Sequence, residues 1–514
     1  MELNKLILPG EYDGKEIPVG VDVERIGNDG RNIEPGTLFF CHEGGRYDSH
    51  VLLPTLKNAG CVAAVVSREY AGRDAGIPLI PVADTGRAEA FAVSRFYGDP
   101  GSRLRLIGVT GTNGKTGVAS MLWSILSDAG IPCGMIGTTG YRGKRGDETA
   151  FDRFHTGEAE TMTTPPPLTL YPLLSAMADS GITHAVIEVS SQALCASRVS
   201  PLRFSVSVFT NLTPEHLDYH GTMTSYLAAK KILFRQSDVA VVNGDSPWTD
   251  LLLDGLSCRR IDCGTVEKND VTAKDVTLRG VHGVTYRYET KDCNIPVFLP
   301  IPGSFAVQNS LLSLTAARAL GVGTEEAVAA LARFPGVPGR MEMIDTGGLP
   351  FSVFIDYAHT EAALRSLLLS VRSFLQPGGR IVLLFGCGGD RDPGKRSEMG
   401  KTAEELADFT VVTSDNSRSE DPKKIILDIL SGMVRPEKRR VIVKRERAIA
   451  YAIKTAREGD VILLVGKGHE KYEIDADGKR PFDEKKIAQL ALEARRNGHT
   501  MEVDANENQN RGAD

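Results

Sequence analysis

A glycine-rich stretch, Gly108-Val-Thr-Gly111-Thr112-Asn113-Gly114-Lys115-Thr116, stands directly after the apolar run Leu104–Ile107 and before a helical pattern over Val118–Asp128. Glycines at a strand-to-helix turn let backbone N–H groups approach an anion, and the helix N-terminus adds its positive dipole end. A lysine just inside that turn can reach the β- and γ-phosphates of a nucleotide, and the following threonine hydroxyl can bind Mg²⁺. The commoner eight-residue phosphate loop would place glycine at position 109, where Val109 stands, so the pattern is the shorter GTNGKT form. A tight turn that happens to hold glycine and lysine is the bland alternative.

Two further residues carry matching chemistry. Glu188 ends the apolar run His184–Val189, and His216 lies in FTNLTPEHLDYHG, just beyond the run Phe204–Thr210. Both are expected at the carboxyl edge of the sheet that carries the loop. A carboxylate and an imidazole beside a triphosphate are plausible Mg²⁺ ligands, although Mg²⁺ prefers oxygen and keeps several waters. A solvated strand-end carboxylate and a satisfied core histidine are the plain alternatives.

The elements that must hold these residues follow from the apolar pattern. Buried strands are expected at Cys61–Ser67, Leu104–Thr110, His184–Val189, Phe204–Thr210, Val239–Asn243, Arg380–Phe385, Phe409–Thr413 and Val461–Val465, with helical patterns between them. This alternation predicts an α/β protein with mostly parallel sheets. Ligands of such sheets sit beyond the carboxyl ends of the strands.

A length of 514 residues implies two to four domains. Asp99-Pro100-Gly101-Ser102 and Phe334-Pro335-Gly336-Val337-Pro338-Gly339 mark the breaks, giving expected domains at 1–99, 100–337 and 338–502, with a polar tail at 503–514 expected to be disordered. A formal net charge of −6 gives no sign of a nucleic-acid surface. No apolar run reaches the ~18 residues of a membrane span, and no secretory signal is expected from the pattern of the first residues. The eight scattered cysteines form no CxxC pair, so zinc and disulfide frameworks are not expected and a reduced cytoplasm is the natural compartment.

GVTGTNGKT, EVSSQAL, FTNLTPEHLDYHG and SYLAAK together resemble the Mur ligases. Downstream, GRMEMI, DYAH, FGCGGDRDPGKR, DNSRSEDP and GKGHEKYE are similar to the branch that adds the third residue of a nucleotide-linked muramoyl peptide. The resemblance spans residues 20 to 485 and implies three domains: one for the uridine nucleotide, a central P-loop-type ATPase domain, and a Rossmann-like domain that receives the amino acid. It implies an ADP-forming ligase that uses ATP and Mg²⁺, acts through an acyl phosphate, and works in the cytoplasm as a monomer. Its implied substrates are UDP-N-acetylmuramoyl-L-alanyl-D-glutamate and a diamino acid.

Residue roles implied by that resemblance follow the motifs. Lys115 and Thr116, with the Gly111-Thr112-Asn113-Gly114 backbone, take the phosphates and Mg²⁺; Glu188 and His216 match the metal-site residues. Lys230 of YLAAK matches a lysine that the family carries as a carbamate, which offers a metal an anionic oxygen where an ammonium would repel it. Asn309 matches an adenine contact, and Arg340, Asp356 and His359 match nucleotide contacts of the last domain. Thr163, Thr164, Ser190 and Arg198 match contacts to the muramoyl peptide, and Arg391, Asp415, Asn416, Arg418, Gly466 and Glu470 match the amino-acid pocket.

In the family, a DNPR motif accompanies meso-diaminopimelate, whose distal carboxylate suits an arginine fork, and lysine-adding members generally lack that arginine. Here the motif is DNSR, with Arg418 present and serine at 417. Diaminopimelate is therefore expected, with lysine as the alternative. Gly30, Gln192, Ala196, Ala306 and Glu361 also depart from the pattern, and the first four leave open a paralogue with a modified nucleotide-linked or polyglutamate-type acceptor. An inactive binding paralogue and a transport or mechanical ATPase are the remaining rivals. The intact Lys115, Glu188, His216 and Lys230 argue against the first, and the short loop argues against the second.

Overall fold

A computed structural model describes residues 1–13, 17–44, 47–156 and 162–498. The tail expected at 503–514 lies outside them. The chain divides into two compact units: Met1–Ala273 with Tyr288–Ile295 and Gln308–Leu331, and Lys274–Arg287 with Pro296–Val307 and the chain from Ala332 onward.

The first unit opens with a four-stranded parallel sheet, Arg25–Gly27, Thr37–Phe40, Cys61–Ser67 and Leu79–Val82 in that order. Alternate residues face opposite ways. Leu38, Phe40, Ala63 and Val65 pack with Ala88 and Ala92 of helix Thr85–Phe96, while Phe39, Ala64 and Val66 pack with Leu53 and Leu56. A strand covered on both faces must be apolar at nearly every position, which is why CVAAVVS is legible as a buried strand.

The central sheet is built around strand Arg105–Thr110, flanked on both sides by parallel neighbours, His184–Glu188 and Phe204–Phe209. Cys133–Gly137 and then Gly140–Arg142 extend it past His184–Glu188. On the other side follow Ser237–Asn243, Arg259–Gly264, Val271–Leu278, Val284–Glu289 and Asn294–Leu299. Arg105–Thr110 includes Gly108, Val109 and Thr110, as the strand expected at Leu104–Thr110 does, so the turn proper is only Gly111–Gly114. The following helix runs Lys115–Asp128 rather than from Val118, with ten buried residues, so Lys115 and Thr116 open its first turn.

The second unit holds a six-stranded sheet ordered Glu342–Ile344, Ser352–Asp356, Val461–Val465, Ile381–Phe385, Phe409–Val412 and Arg439–Val441, parallel except at the first strand. Two cores lie on its two faces. Phe354, Leu383, Val412 and Leu463 pack with Leu364, Leu368, Ala403 and Ile426, and Val353, Leu384, Val411 and Ile462 pack with Ile449, Ala452 and Leu492. Helix Glu361–Phe374 shows how sequence sets this. Thr360 caps it by accepting from the Ala363 N–H, and Leu364, Leu367, Leu368, Val371 and Phe374 fall on one buried stripe. The result is the doubly wound, Rossmann-like layer expected, with every parallel strand opening its carboxyl end to the same edge.

Candidate active site

The turn Gly111–Gly114 owes its shape to its glycines. Gly111 sits at φ +151°, and a Cβ there would meet the Thr210 hydroxyl at 1.8 Å. Gly114 sits at φ +88°, where a Cβ would lie 2.6 Å from Asn309 Oδ1. The Asn309 side chain therefore rests against the turn that starts the helix, where the adenine contact was expected. The Thr112 N–H donates to Asn211 O at 2.9 Å and the Asn113 N–H to Asn211 Oδ1 at 2.9 Å. Those donors hold the turn in place, which leaves the helix's first-turn amides from Gly114 to Thr116 as the candidate phosphate donors.

Lys115 Nζ bends back over the turn and donates to Gly111 O at 3.0 Å and to Thr112 O at 2.8 Å. Thr116 Oγ1 donates to Glu188 Oε2 at 2.9 Å. Glu188 is fully buried, and Thr138 donates to it through its N–H at 3.0 Å and its hydroxyl at 3.2 Å. Gly137 makes room for that carboxylate, since a Cβ there would lie 2.0 Å from Oε1. Sequence reasoning missed Thr138, because it comes from a strand end far along the chain and belongs to no motif.

Lys230 is 1% exposed and donates to Gly111 O at 2.9 Å. Its ammonium also lies 4.4 Å from the centre of the Tyr226 ring. Tyr226 was missed as well, although it stands four residues before Lys230 on helix Met223–Arg235, the spacing that puts two side chains on one face. Burial first, then the Lys115 charge, pushes the Lys230 pKa well below the lysine range. Lys231 instead points to solvent and donates to the carbonyls of Leu251 and Asp254. His216 adopts a left-handed backbone at φ +56°, its ring 6.3 Å from Tyr226. Burial, opposed by Glu215 and reinforced by Lys115 and Lys230, lowers its pKa, so a neutral imidazole is favoured.

A cavity of about 250 Å³ joins Gly111, Lys115, His216 and Lys230 to Thr163, Thr164, Ser190 and Arg198. The group from Thr163 to Arg198, expected to face the acceptor, is tightly knit. The Thr163 and Thr138 hydroxyls lie 3.1 Å apart, Thr164 donates to Glu188 O at 2.8 Å, and the Ser190 N–H donates to Thr164 Oγ1 at 2.9 Å. Arg198 reaches Thr164 O at 2.6 Å. Gln192 lines the same cavity. Among the described residues no cluster of three or more His, Cys, Asp or Glu side chains could hold a metal. The donors present are the Thr116 hydroxyl against the Glu188 carboxylate, which fits Mg²⁺, an ion that takes one or two carboxylates and fills its sphere with water and phosphate oxygens.

The second unit carries its own group at the strand ends. Asp356 accepts from the Met341 N–H at 2.8 Å and the Ala358 N–H at 2.9 Å, so it fixes the loop that presents Arg340. Burial raises its pKa, and Arg340 opposes that. The Arg340 guanidinium lies 4.8 Å from the Tyr357 ring centre, and the exposed His359 ring stands 4.8 Å away from the same ring.

At the neighbouring strand ends, Asp415 is nearly buried, and a Cβ on Gly466 would lie 2.6 Å from its Oδ2. Asn416 Nδ2 donates to Glu470 Oε2 at 2.8 Å. Burial raises the Glu470 pKa; Lys467 and Asn416 pull it back. Arg418 takes a left-handed backbone at φ +50°, its N–H donating to Ile474 O at 3.0 Å and Nη1 to Gly389 O at 2.7 Å. A Cβ on Gly388 would lie 3.0 Å from Arg418 Nη1 and 3.9 Å from Arg391 Cγ. Both arginines therefore run past one glycine. The Arg418 guanidinium, with the Arg391 side chain passing the same glycine, suits a carboxylate ligand.

The model of the Mur ligase middle domain matches residues 109–317, and that of the Mur ligase, glutamate ligase domain matches 339–468. The chain is 37% identical over 492 residues to the UDP-N-acetylmuramoyl-L-alanyl-D-glutamate--2,6-diaminopimelate ligase of Listeria innocua, covering 94% of this chain and 96% of that one. It is 38% identical over 485 residues to the ligase of the same name from Geobacillus thermodenitrificans, covering 92% and 96%. A solved structure of a UDP-N-acetylmuramoyl-L-alanyl-D-glutamate--2,6-diaminopimelate ligase is similar at a TM-score of 0.67 and 26% identity, covering 96% of this chain and 99% of that one.

Proposed function

We propose that this chain, which belongs to the Mur ligase family, adds meso-diaminopimelate to UDP-N-acetylmuramoyl-L-alanyl-D-glutamate at the expense of ATP. The observation that carries this reading is the cavity that joins Lys115 and Lys230 of the phosphate side to Thr164, Ser190 and Arg198 of the acceptor side. A carboxylate held by the second group lies where the first group can manage a transferring phosphoryl. On this reading residues 1–99 take the uridine nucleotide, 100–337 take ATP, and 338–502 take the amino acid.

The reaction has two steps. A carboxylate oxygen of the acceptor attacks the γ-phosphorus and ADP leaves, forming an acyl phosphate. The amine of the amino acid then attacks the acyl carbon, loses a proton, and phosphate departs as the amide forms. Phosphoryl transfer asks mainly for positioning and charge stabilisation. Lys115 supplies a fixed cation, and the first-turn amides hold the phosphate oxygens. Thr116 and Glu188 would hold Mg²⁺, with His216 and a carbamylated Lys230 beside it, and the ion would supply charge neutralisation for the transferring phosphoryl. Arg391 and Arg418 take the distal carboxylate of the amino acid, while Asp415 and Glu470 face its ammonium groups.

The test is phosphate release from ATP by the purified protein, across a matrix of acceptors and amino acids. Release only with the uridine-muramoyl dipeptide and diaminopimelate together is the expected result. Release with a polyglutamate-type acceptor, or with no acceptor at all, would replace this reading.

A further inference from the structure

Lys467 has no part in the chemistry above, yet its side chain is wholly buried at the carboxyl end of strand Val461–Val465. Nζ lies 3.0 Å from Asn416 Oδ1, 3.7 Å from Asp415 Oδ1 and 3.7 Å from Glu470 Oε2. The Phe482 ring closes the remaining side, its centre 5.4 Å away. An ammonium withdrawn from water stays charged only where such partners replace its hydration.

The contacts of Asn416 show what that charge does. Its Oδ1 accepts from Lys467 and also from the Ile474 N–H at 3.0 Å, while its Nδ2 donates to Glu470. A side-chain amide can be turned end for end, and only its partners choose. Two donors on the oxygen end and a carboxylate on the nitrogen end permit one orientation. The Asn416 N–H donates to Asp415 Oδ1 at 2.6 Å, so the same lysine reaches all three side chains of the group. Asp415 and Glu470 are like charges in a dry pocket, and such pairs resist joint ionisation unless a cation lies between them. Around Glu470 the charged and titratable neighbours are Lys467, Asp415, Arg418 and Tyr357. Of these, Lys467 is the cation that also touches Asp415, on which Arg445 and His359 act as well.

We propose that Lys467 is the positioning residue of the amino-acid pocket: its ammonium locks the Asn416 amide and keeps Asp415 and Glu470 as an anionic pair for the ammonium groups of the incoming amino acid. The proposal rests on reading this pocket as the amino-acid site. Lys467 itself touches no substrate. Its role is expressed through KM for the amino acid and through the charge of Glu470.

The test compares Lys467→Met and Lys467→Arg with the wild-type enzyme. KM values for diaminopimelate, ATP and acceptor are taken across pH, and the Glu470 carboxylate is titrated in the ligand-free protein by carbon-13 NMR, assigned with Glu470→Gln. In Lys467→Met the KM for diaminopimelate should rise about tenfold or more, the loss expected for a charged hydrogen bond, with KM for ATP unchanged. Glu470 should titrate at higher pH, and the acid limb of kcat/KM for the amino acid should move with it. Lys467→Arg should restore the limb. If the methionine variant does not fold, Lys467→Gln is expected to give the same shifts. A folded neutral variant with an unmoved Glu470 titration, or with lowered kcat and no change in any KM, overturns the proposal. A wild-type enzyme that ligates no amino acid overturns the proposed function instead, and the titration still decides whether Lys467 sets the charge of the pair.

Discussion

Lys115 and Lys230 donate to the same atom: Gly111 O accepts from Nζ of the first at 3.0 Å and of the second at 2.9 Å. Two ammonium groups on one carbonyl repel each other, and the penalty falls on the buried one. Lys230 is that one, and Lys115 is the more exposed of the two.

Lys115→Ala should lower ligation by roughly two or more decades, as loss of one preorganised electrostatic contact does. Overall folding should survive, because Lys115 is only partly buried. Steady-state phosphate release together with thermal unfolding checks both halves. Near-normal turnover would remove the phosphate role of the turn.

Lys230 is expected to be a carbamate in the active enzyme. A neutral amine attacks carbon dioxide and releases a proton, and burial beside the Lys115 charge, which depresses the Lys230 pKa, favours the neutral amine. Lys230→Ala should be inactive and partly rescued by a short carboxylic acid. Mass spectrometry of the intact active protein, kept in bicarbonate, should show the added carboxyl group; an unmodified amine in an active, Mg²⁺-loaded enzyme refutes the idea.

The lowered pKa of His216 gives a sign to the pH profile. A group whose pKa lies below the ordinary histidine value of about 6.5 is neutral at pH 7 and protonates only on further acidification. The His216-dependent part of kcat/KM should therefore be full at neutral pH and fall as the pH drops below that value. His216→Gln should lose this acid limb. Chelation of divalent ions should abolish ligation and added Mg²⁺ should restore it, whereas activity in excess chelator would exclude the metal assignment.

Arg418 should select diaminopimelate over lysine. Its guanidinium, which passes Gly388, can hold the distal carboxylate, while a lysine ammonium there would meet like charge. Arg418→Ala should weaken diaminopimelate use tenfold or more and leave lysine use nearly unchanged. With both amino acids at equal concentration, preferential incorporation of lysine by the wild type would show that Arg418 is not the selector.

Arg445 and Glu484 form a pair at 2.7 Å with no more than 1% of either side chain exposed. Removing one partner strands a charge in the core, which costs about 3–5 kcal/mol. Glu484→Ala should lower the urea midpoint accordingly, and the double change Arg445→Met with Glu484→Leu should recover much of the loss. Equal stability of the single variant and the wild type would show that the pair is not linked to folding.

Much of this protein could be read from the chain alone. Strands covered on both faces are apolar without a break, so Cys61–Ser67 and Val461–Val465 were bounded correctly, and the Gly-Lys-Thr turn announced its own place between a strand and a helix. The short strands Arg25–Gly27 and Gly140–Arg142, and those from Val271 to Leu299, were not legible, because they are short or half-exposed and carry no continuous apolar run. The residue types that could do chemistry were also in the sequence. Which atoms they face was not: that Thr138 and Thr116 share Glu188, that Lys230 lies over Tyr226 against Gly111, and that Lys467 holds Asp415, Asn416 and Glu470 are facts of strand order. A parallel sheet gathers the carboxyl ends of strands that are far apart in sequence, and local propensity carries no information about which strands become neighbours.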